Sequence, residues 1–216
     1  MFVCQKQRKK IAIFEVKENQ SLEQILWNSD DRVDLGIMLS LYTGLRIGEL
    51  CALKWSNLDL ATNVMYVVGT IERISSGCSL DESKTKVIFS APKTEAGKRC
   101  IPLPKTVADH LLSFQSDETH YVLAGSAFPT EPHTFYIRYK RFLKNNGISE
   151  HTFHALRHTF ATNCIEQGFD AKVLSEILRH SNVSTTLCRY VHPTFEMKRR
   201  MMELVASDSI SGQKHR

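Results

Sequence analysis

The chain has 216 residues, 42% of them hydrophobic, with 28 Lys and Arg against 23 Asp and Glu for a formal charge of +5. Those proportions exclude a disordered or fibrous chain, and the length suits one full domain or two small ones, either able to bury a core without metal or disulfide staples. No run approaches the ~18 apolar residues of a membrane span, and the basic start up to Lys10 is followed by no apolar stretch of a secretory signal.

Residues 1–20 read as a basic N-terminal extension or a remnant of a linker. Residues 21–30 have the pattern of a short helix, with Ser21 as N-cap and Glu23 and Gln24 in the first turn. Val33, Ile37, Met38 and Leu41 recur at helical spacing over 32–42, and Thr43-Gly44 stops that helix. A third helix starts near Arg46 and carries Ile47, Leu50 and Leu53 inward. Composition then turns β-branched and aromatic at 64–68, 87–89 and 100–103, which predicts one small antiparallel sheet. Residues 92–98, between the last two segments, have hairpin-loop composition. Helices return at 105–116, 132–145, 154–167, 171–178 and 194–206, with Gly147 and Gly168 as C-cap residues. The expected fold class is α+β, mostly α-helical with one three-stranded antiparallel sheet. It forms a single domain over 21–206, followed by a flexible tail at 207–216.

The six cysteines (Cys4, Cys51, Cys78, Cys100, Cys164 and Cys188) are scattered and form no Cys-x-x-Cys pair, which reads as a reduced, cytoplasmic protein. Basic residues gather in three places. Lys84, Lys86, Lys93, Lys98 and Arg99 surround a single acid, Glu95. Arg138, Lys140, Arg141 and Lys144 share one predicted helix, and Lys198, Arg199 and Arg200 lie near the C-terminus. Any one cluster is an ordinary solvated face; three together favour phosphate contacts.

Four segments carry more specific information: Thr43-Gly44-Leu45-Arg46-Ile47-Gly48-Glu49-Leu50; Pro92-Lys93-Thr94; Phe153-His154-Ala155-Leu156-Arg157-His158-Thr159; and Leu178-Arg179-His180-Ser181-Asn182, followed by Tyr190-Val191-His192. In this order, with a tyrosine ten residues after His180, the set resembles the tyrosine recombinases, or phage-type integrases, over residues 21–192. The resemblance implies a catalytic domain that cuts one strand of double-stranded DNA with a tyrosine hydroxyl. It forms a 3′-phosphotyrosyl link and frees a 5′-hydroxyl for a later strand exchange. Neither metal, ATP nor another cofactor is implied.

By that resemblance, Arg46 and Arg157 clamp the phosphate. A planar, always-charged fork suits a pentacoordinate phosphorane, and losing one such donor costs several kcal/mol. His154, three residues before Arg157 and on the same helix face, becomes an acid/base group near the tyrosine. His180 hydrogen-bonds a nonbridging oxygen, and Tyr190 is the nucleophile. Lys93 protonates the leaving 5′-oxygen, with Lys98 or Lys86 as alternatives. Glu49 orients Arg46, and His158 and His192 take supporting or packing roles. Lys86, Arg138, Lys140, Arg141 and Arg179 become backbone contacts.

Two positions depart from the family pattern: Arg179 stands where glycine is usual before His180, and Asn57 where Asp is common, although Asn57 should still cap or turn. Only about twenty residues precede the first family-like helix, so the chain reads as an isolated catalytic domain or a minimal member. The resemblance further implies site-specific integration or excision for a phage or mobile element. The protein would be a tetramer on synapsed DNA and a monomer without it, with no membrane partner. The apolar stripe Phe195, Met201, Met202, Leu204 and Val205 would pack in its own chain or dock on a neighbour. Competing readings are a type IB topoisomerase-like relaxing activity, a DNA-binding module with a vestigial catalytic set, and a zinc site on His154 and His158. The last lacks the Glu that a metalloprotease needs at residue 155, which is Ala here.

Overall fold

In the computed structural model, which describes residues 12–75, 85–91, 99–179, 182–190, 195, 199, 202 and 203, the first helix is α1 (Val16–Trp27). It starts earlier than the Ser21 cap predicts. Glu15 and Glu18 form a capping box, with the Glu15 N–H donating to Glu18 Oε2 at 3.2 Å. Ser21 instead lies inside the helix and donates its hydroxyl to the Lys17 carbonyl at 3.0 Å. A serine one turn inside can satisfy itself on the preceding turn, so the upstream acidic pair sets the boundary. Phe14 is buried and its N–H donates to Thr159 Oγ1 at 3.0 Å, so the expected domain boundary at residue 20 falls within packed structure.

The central element is α2 (Arg32–Thr43). Asp31 caps it by accepting from the Val33 N–H at 2.6 Å, and Gly44 ends it at φ +67°. Leu35, Ile37, Met38, Leu39 and Leu41 are all buried. A helix apolar on every side must be surrounded; α2 packs against α1, against α4 (Lys105–Leu112), against α5 (Pro132–Asn145) and most heavily against α6 (His154–Glu166). The short α3 (Ile47–Cys51) leads to a 3₁₀ turn at Trp55–Asn57, where Asn57 Oδ1 accepts from the Lys54 N–H at 3.2 Å, the capping role expected of it.

Two separate β-units follow. β1 (Leu58–Asp59), β2 (Val64–Val67) and β5 (Arg99–Pro102) form a three-stranded antiparallel sheet in the order β1-β2-β5, with Met65 opposite Ile101. Met65, Val67 and Ile101 point into the core while Tyr66 and Cys100 point out, the period of two that a half-buried sheet requires. β3 (Thr70–Ser75) and β4 (Thr85–Ser90) form their own antiparallel ribbon, from Thr70 opposite Ser90 to Ser75 opposite Thr85. The expected sheet is therefore corrected in membership. The strand around 87–89 pairs with β3 and not with β5, and the third place in the main sheet goes to the two-residue β1. β3 carries no strand-like composition because Glu72 and Arg73 interrupt its apolar residues, and pairing follows tertiary contact more than composition.

The helices at 132–145 and 171–178 (α7, Ala171–Leu178) match the expected bounds, and α6 matches within a residue. α4 stops at Leu112, short of 116. Gly147 and Gly168 adopt φ of +65° and +93° just past α5 and α6, as expected of C-cap glycines. An unexpected helix, α8 (Val183–Tyr190), begins where Asn182 Oδ1 accepts from the Ser184 N–H at 2.8 Å. Its Ser184-Thr185-Thr186 run has weak helix propensity, but Thr186 is buried and packing holds the turn. The expected helix at 194–206 lies largely outside the described residues. Among the described residues no helix is long and apolar enough to cross a membrane.

Candidate active site

Three side chains come from the first two turns of α6. His154, Arg157 and His158 occupy positions i, i+3 and i+4, so they share one helix face. Arg157 is 1% exposed. Its Nη1 donates to the Gly44 carbonyl at 2.5 Å and its Nη2 to the Leu178 carbonyl. One guanidinium thus ties the end of α2 to the end of α7. Burial lowers its pKa to about 9, helped by the charges of Arg46 and Arg99 and opposed by Glu49 and Tyr190, so the group stays cationic at neutral pH. Gly44 is required at this junction: a Cβ there would lie 2.7 Å from both Leu178 Cδ2 and Phe160 Cδ1, on top of the left-handed backbone.

Arg46 caps α3 next to that junction. Its N–H donates to Glu49 Oε2 at 2.9 Å and its Nη1 to Oε1 at 3.1 Å. Arg99, from β5, meets the same carboxylate with both ends of its fork, Nη1 to Oε1 at 2.8 Å and Nη2 to Oε2 at 2.9 Å. Burial pushes the Glu49 carboxyl up, but the hydrogen bonds and charge of Arg99, with those of Arg46, outweigh it and hold the pKa at about 2. Glu49 therefore holds Arg46 through two hydrogen bonds, and Arg99 is its larger partner.

Arg99 departs from the basic surface cluster in which the sequence places it. Its side chain is 8% exposed because residues 99 and 101 share the inward face of β5, and both of its Nη groups are committed to Glu49. Arg46 remains 42% exposed and, with Arg179, Thr70 and Ser90, borders an open cavity of about 340 Å³.

Tyr190 ends α8 and is 6% exposed, packed with Ala161, Cys164, Ile165, Leu174 and Leu178. Its Oη lies 2.6 Å from His158 Nδ1. The His158 ring stands nearly perpendicular to that of His154, with centroids 4.4 Å apart. His158 thus touches the phenol hydroxyl itself. Nothing in the local pattern signals this, since 32 residues separate the pair. Arg179 terminates α7 at φ +51° and ψ +52°, a left-handed conformation that glycine adopts without the Cβ strain an arginine carries.

Lys93, Lys98, His180 and His192 lie outside the described residues. The Lys86 backbone sits in β4 opposite Ile74. Arg138, Arg141 and Lys144 are exposed on α5, whereas Lys140 is half-buried and ion-paired with Glu150. Among the described residues no three His, Cys, Asp or Glu side chains are grouped to hold a metal ion. The structure therefore gathers Arg46, Glu49, Arg157, His158 and Tyr190 around the start of α6, from segments far apart in the chain.

The chain is similar in sequence and fold to known proteins. The phage integrase family model matches residues 15–197. A tyrosine recombinase XerC-like protein of Caldanaerobacter subterraneus subsp. tengcongensis is 29% identical over 210 residues, covering 89% of this chain and 53% of that protein. Tyrosine recombinase XerA of Thermococcus kodakarensis is 33% identical over 176 residues, covering 77% of this chain and 53% of its own. The chain spans about half the length of the curated relatives it matches. Among solved structures, the Tn1549 transposon integrase in complex with transposon right-end DNA matches with a TM-score of 0.73 at 25% identity, covering 94% of this chain and 69% of that one. A crystal structure of XerA recombinase matches with a TM-score of 0.64 at 25% identity, covering 91% and 66%.

Proposed function

The chain belongs to the phage integrase family, and from that premise we propose that it recombines double-stranded DNA at specific sites, with Tyr190 forming a covalent link to a 3′-phosphate. The observation that carries this reading is the convergence of Arg46, Arg157 and Tyr190, from three separate segments, around one helix start.

In the proposed cleavage, Tyr190 Oη attacks phosphorus, the Oη–P bond forms and the P–O5′ bond breaks. Lys93 gives the 5′-oxygen its proton. Arg46, half-exposed at the cavity and held by Glu49, supplies charge to the nonbridging oxygens, and His180 adds a hydrogen bond. The buried Arg157 keeps the junction of α2 and α7 in register and contributes its cationic field. Positioned charge of this kind strengthens as the phosphorane forms, which is where catalysis needs it. Rejoining reverses the step with a 5′-hydroxyl from another strand, so the bond energy stays in the protein–DNA link and no cofactor enters. Arg138, Arg141 and Arg179, with Lys86 and Lys140, would follow the DNA backbone. Assembly into a tetramer on paired sites, in the cytoplasm, completes the proposal.

The test is covalent capture. The protein is incubated with a pool of randomised duplexes, each carrying a single nick so that the cleaved end diffuses away, and SDS-resistant adducts are collected and their linked peptide mapped. The expected adduct is on Tyr190, and Tyr190→Phe keeps filter-binding affinity while yielding none. An adduct that persists in the variant, or maps to another residue, refutes the assignment; so does the absence of any adduct from the unaltered chain.

A further inference from the structure

We propose that His158, through Nδ1, is the general base that takes the Tyr190 hydroxyl proton as Oη attacks phosphorus, and the acid that returns it when the strand is rejoined. The inference rests on Tyr190 being the nucleophile. A phenol has a pKa of about 10 and stays protonated at neutral pH, so its attack requires an acceptor within hydrogen-bond reach. Nδ1 lies 2.6 Å from Oη, inside that reach.

The contact belongs to packed structure. His158 projects from the second turn of α6, Tyr190 closes α8, and both helices pack on α7. The Tyr190 ring sits in the apolar cluster with Ala161, Leu174 and Leu178, which fixes the phenol against the histidine. Two further ionisable groups of α6 lie beside the pair. Arg157 lies on α6 and attracts an ionised Tyr190, which stabilises the phenolate as the proton leaves. His154, also on α6, sets its ring edge-on to His158.

The sequence resemblance assigns acid/base work near the tyrosine to His154. The geometry gives the phenol's proton to the histidine one turn further along. The step balances: the Oη–P bond forms, the P–O5′ bond breaks, the phenol proton moves to Nδ1, and the 5′-oxygen takes its proton from Lys93. For Nδ1 to accept, neutral His158 must carry its proton on Nε2.

The decisive variant is His158→Asn, whose Oδ1 falls near the position of Nδ1. It can accept the Tyr190 hydrogen bond but cannot take the proton. Adduct formation is measured in single turnover with the nicked duplex captured by the unaltered protein. Loss of a general base predicts a rate roughly 10²- to 10⁴-fold lower, with duplex binding unchanged. A 5′-bridging sulfur at the scissile position makes leaving-group protonation dispensable, so it should not relieve the defect. A rate within threefold of wild type, or relief by the sulfur substrate, overturns the assignment while leaving Tyr190 as nucleophile. Failure of the unaltered chain to form any Tyr190 adduct overturns both. Independently of DNA and of how the variant folds, ¹⁵N-histidine NMR of the unaltered protein at neutral pH should show His158 protonated on Nε2. A proton on Nδ1 refutes the base role.

Discussion

Replacing Glu49 by Gln removes one buried negative charge shared by two arginines, and the structure sets the size of the effect. Arg46 is 42% exposed, so its pair with Glu49 is worth at most about 1 kcal/mol. Arg99 is different: its side chain is 8% exposed and bound by two parallel hydrogen bonds of 2.8 and 2.9 Å. Breaking a buried pair of that kind from one side costs about 3–5 kcal/mol. The carboxyl gives a second measure, since a fall from 4.5 to about 2 corresponds to about 3 kcal/mol of folding free energy at neutral pH.

The assay is urea unfolding of wild type, Glu49→Gln, Arg99→Met and the double variant. Each single change should cost about 3 kcal/mol, and the double little more than either alone, a coupling of about 2–3 kcal/mol. The sign with pH is also determined. The folded-state pKa lies below the ordinary value, so the contribution is complete above about pH 4.5 and disappears as pH falls towards 2. The gap between wild type and Glu49→Gln should therefore close over that window. Additive single costs, or a Glu49→Gln loss under about 1 kcal/mol, would refute the buried-pair argument.

Gly48→Ala should destabilise the protein by about 1–3 kcal/mol in the same assay, because the added Cβ lies 2.6 Å from the Ile71 carbonyl oxygen and a strand backbone cannot yield cheaply; an unchanged midpoint would contradict it. Arg179→Gly should raise stability by about 1 kcal/mol, some 2–4 °C in Tm, by relieving the left-handed Cβ strain. The same change should weaken DNA binding and flatten its salt dependence by about one phosphate contact. A lower Tm would show that the Arg179 side chain contributes more than its backbone costs.

The helices were readable because their signals are local. Val33, Ile37, Met38 and Leu41 mark α2 by spacing alone, Gly44 marks its end, and α5 and α7 fall where periodicity sets them. Arg46, Arg157 and Tyr190 were readable as an ordered set of motifs, because each motif is a short stretch whose neighbours shape its turn. The failures share a different character. Ser21 had the composition of a cap but lay inside a helix whose start Glu15 and Glu18 determine. Arg99 looked like surface charge, and only the pairing of β5 with β2 turns it inward to Glu49, fifty residues away. His158 looked like packing beside Arg157, and only the docking of α8 brings Tyr190 Oη to its ring. Backbone propensity and capping act over a few residues, so a sequence carries them openly. Whether a charge is paired or a histidine meets a phenol depends on which faces are driven out of water together, and burial makes that choice across the whole chain at once.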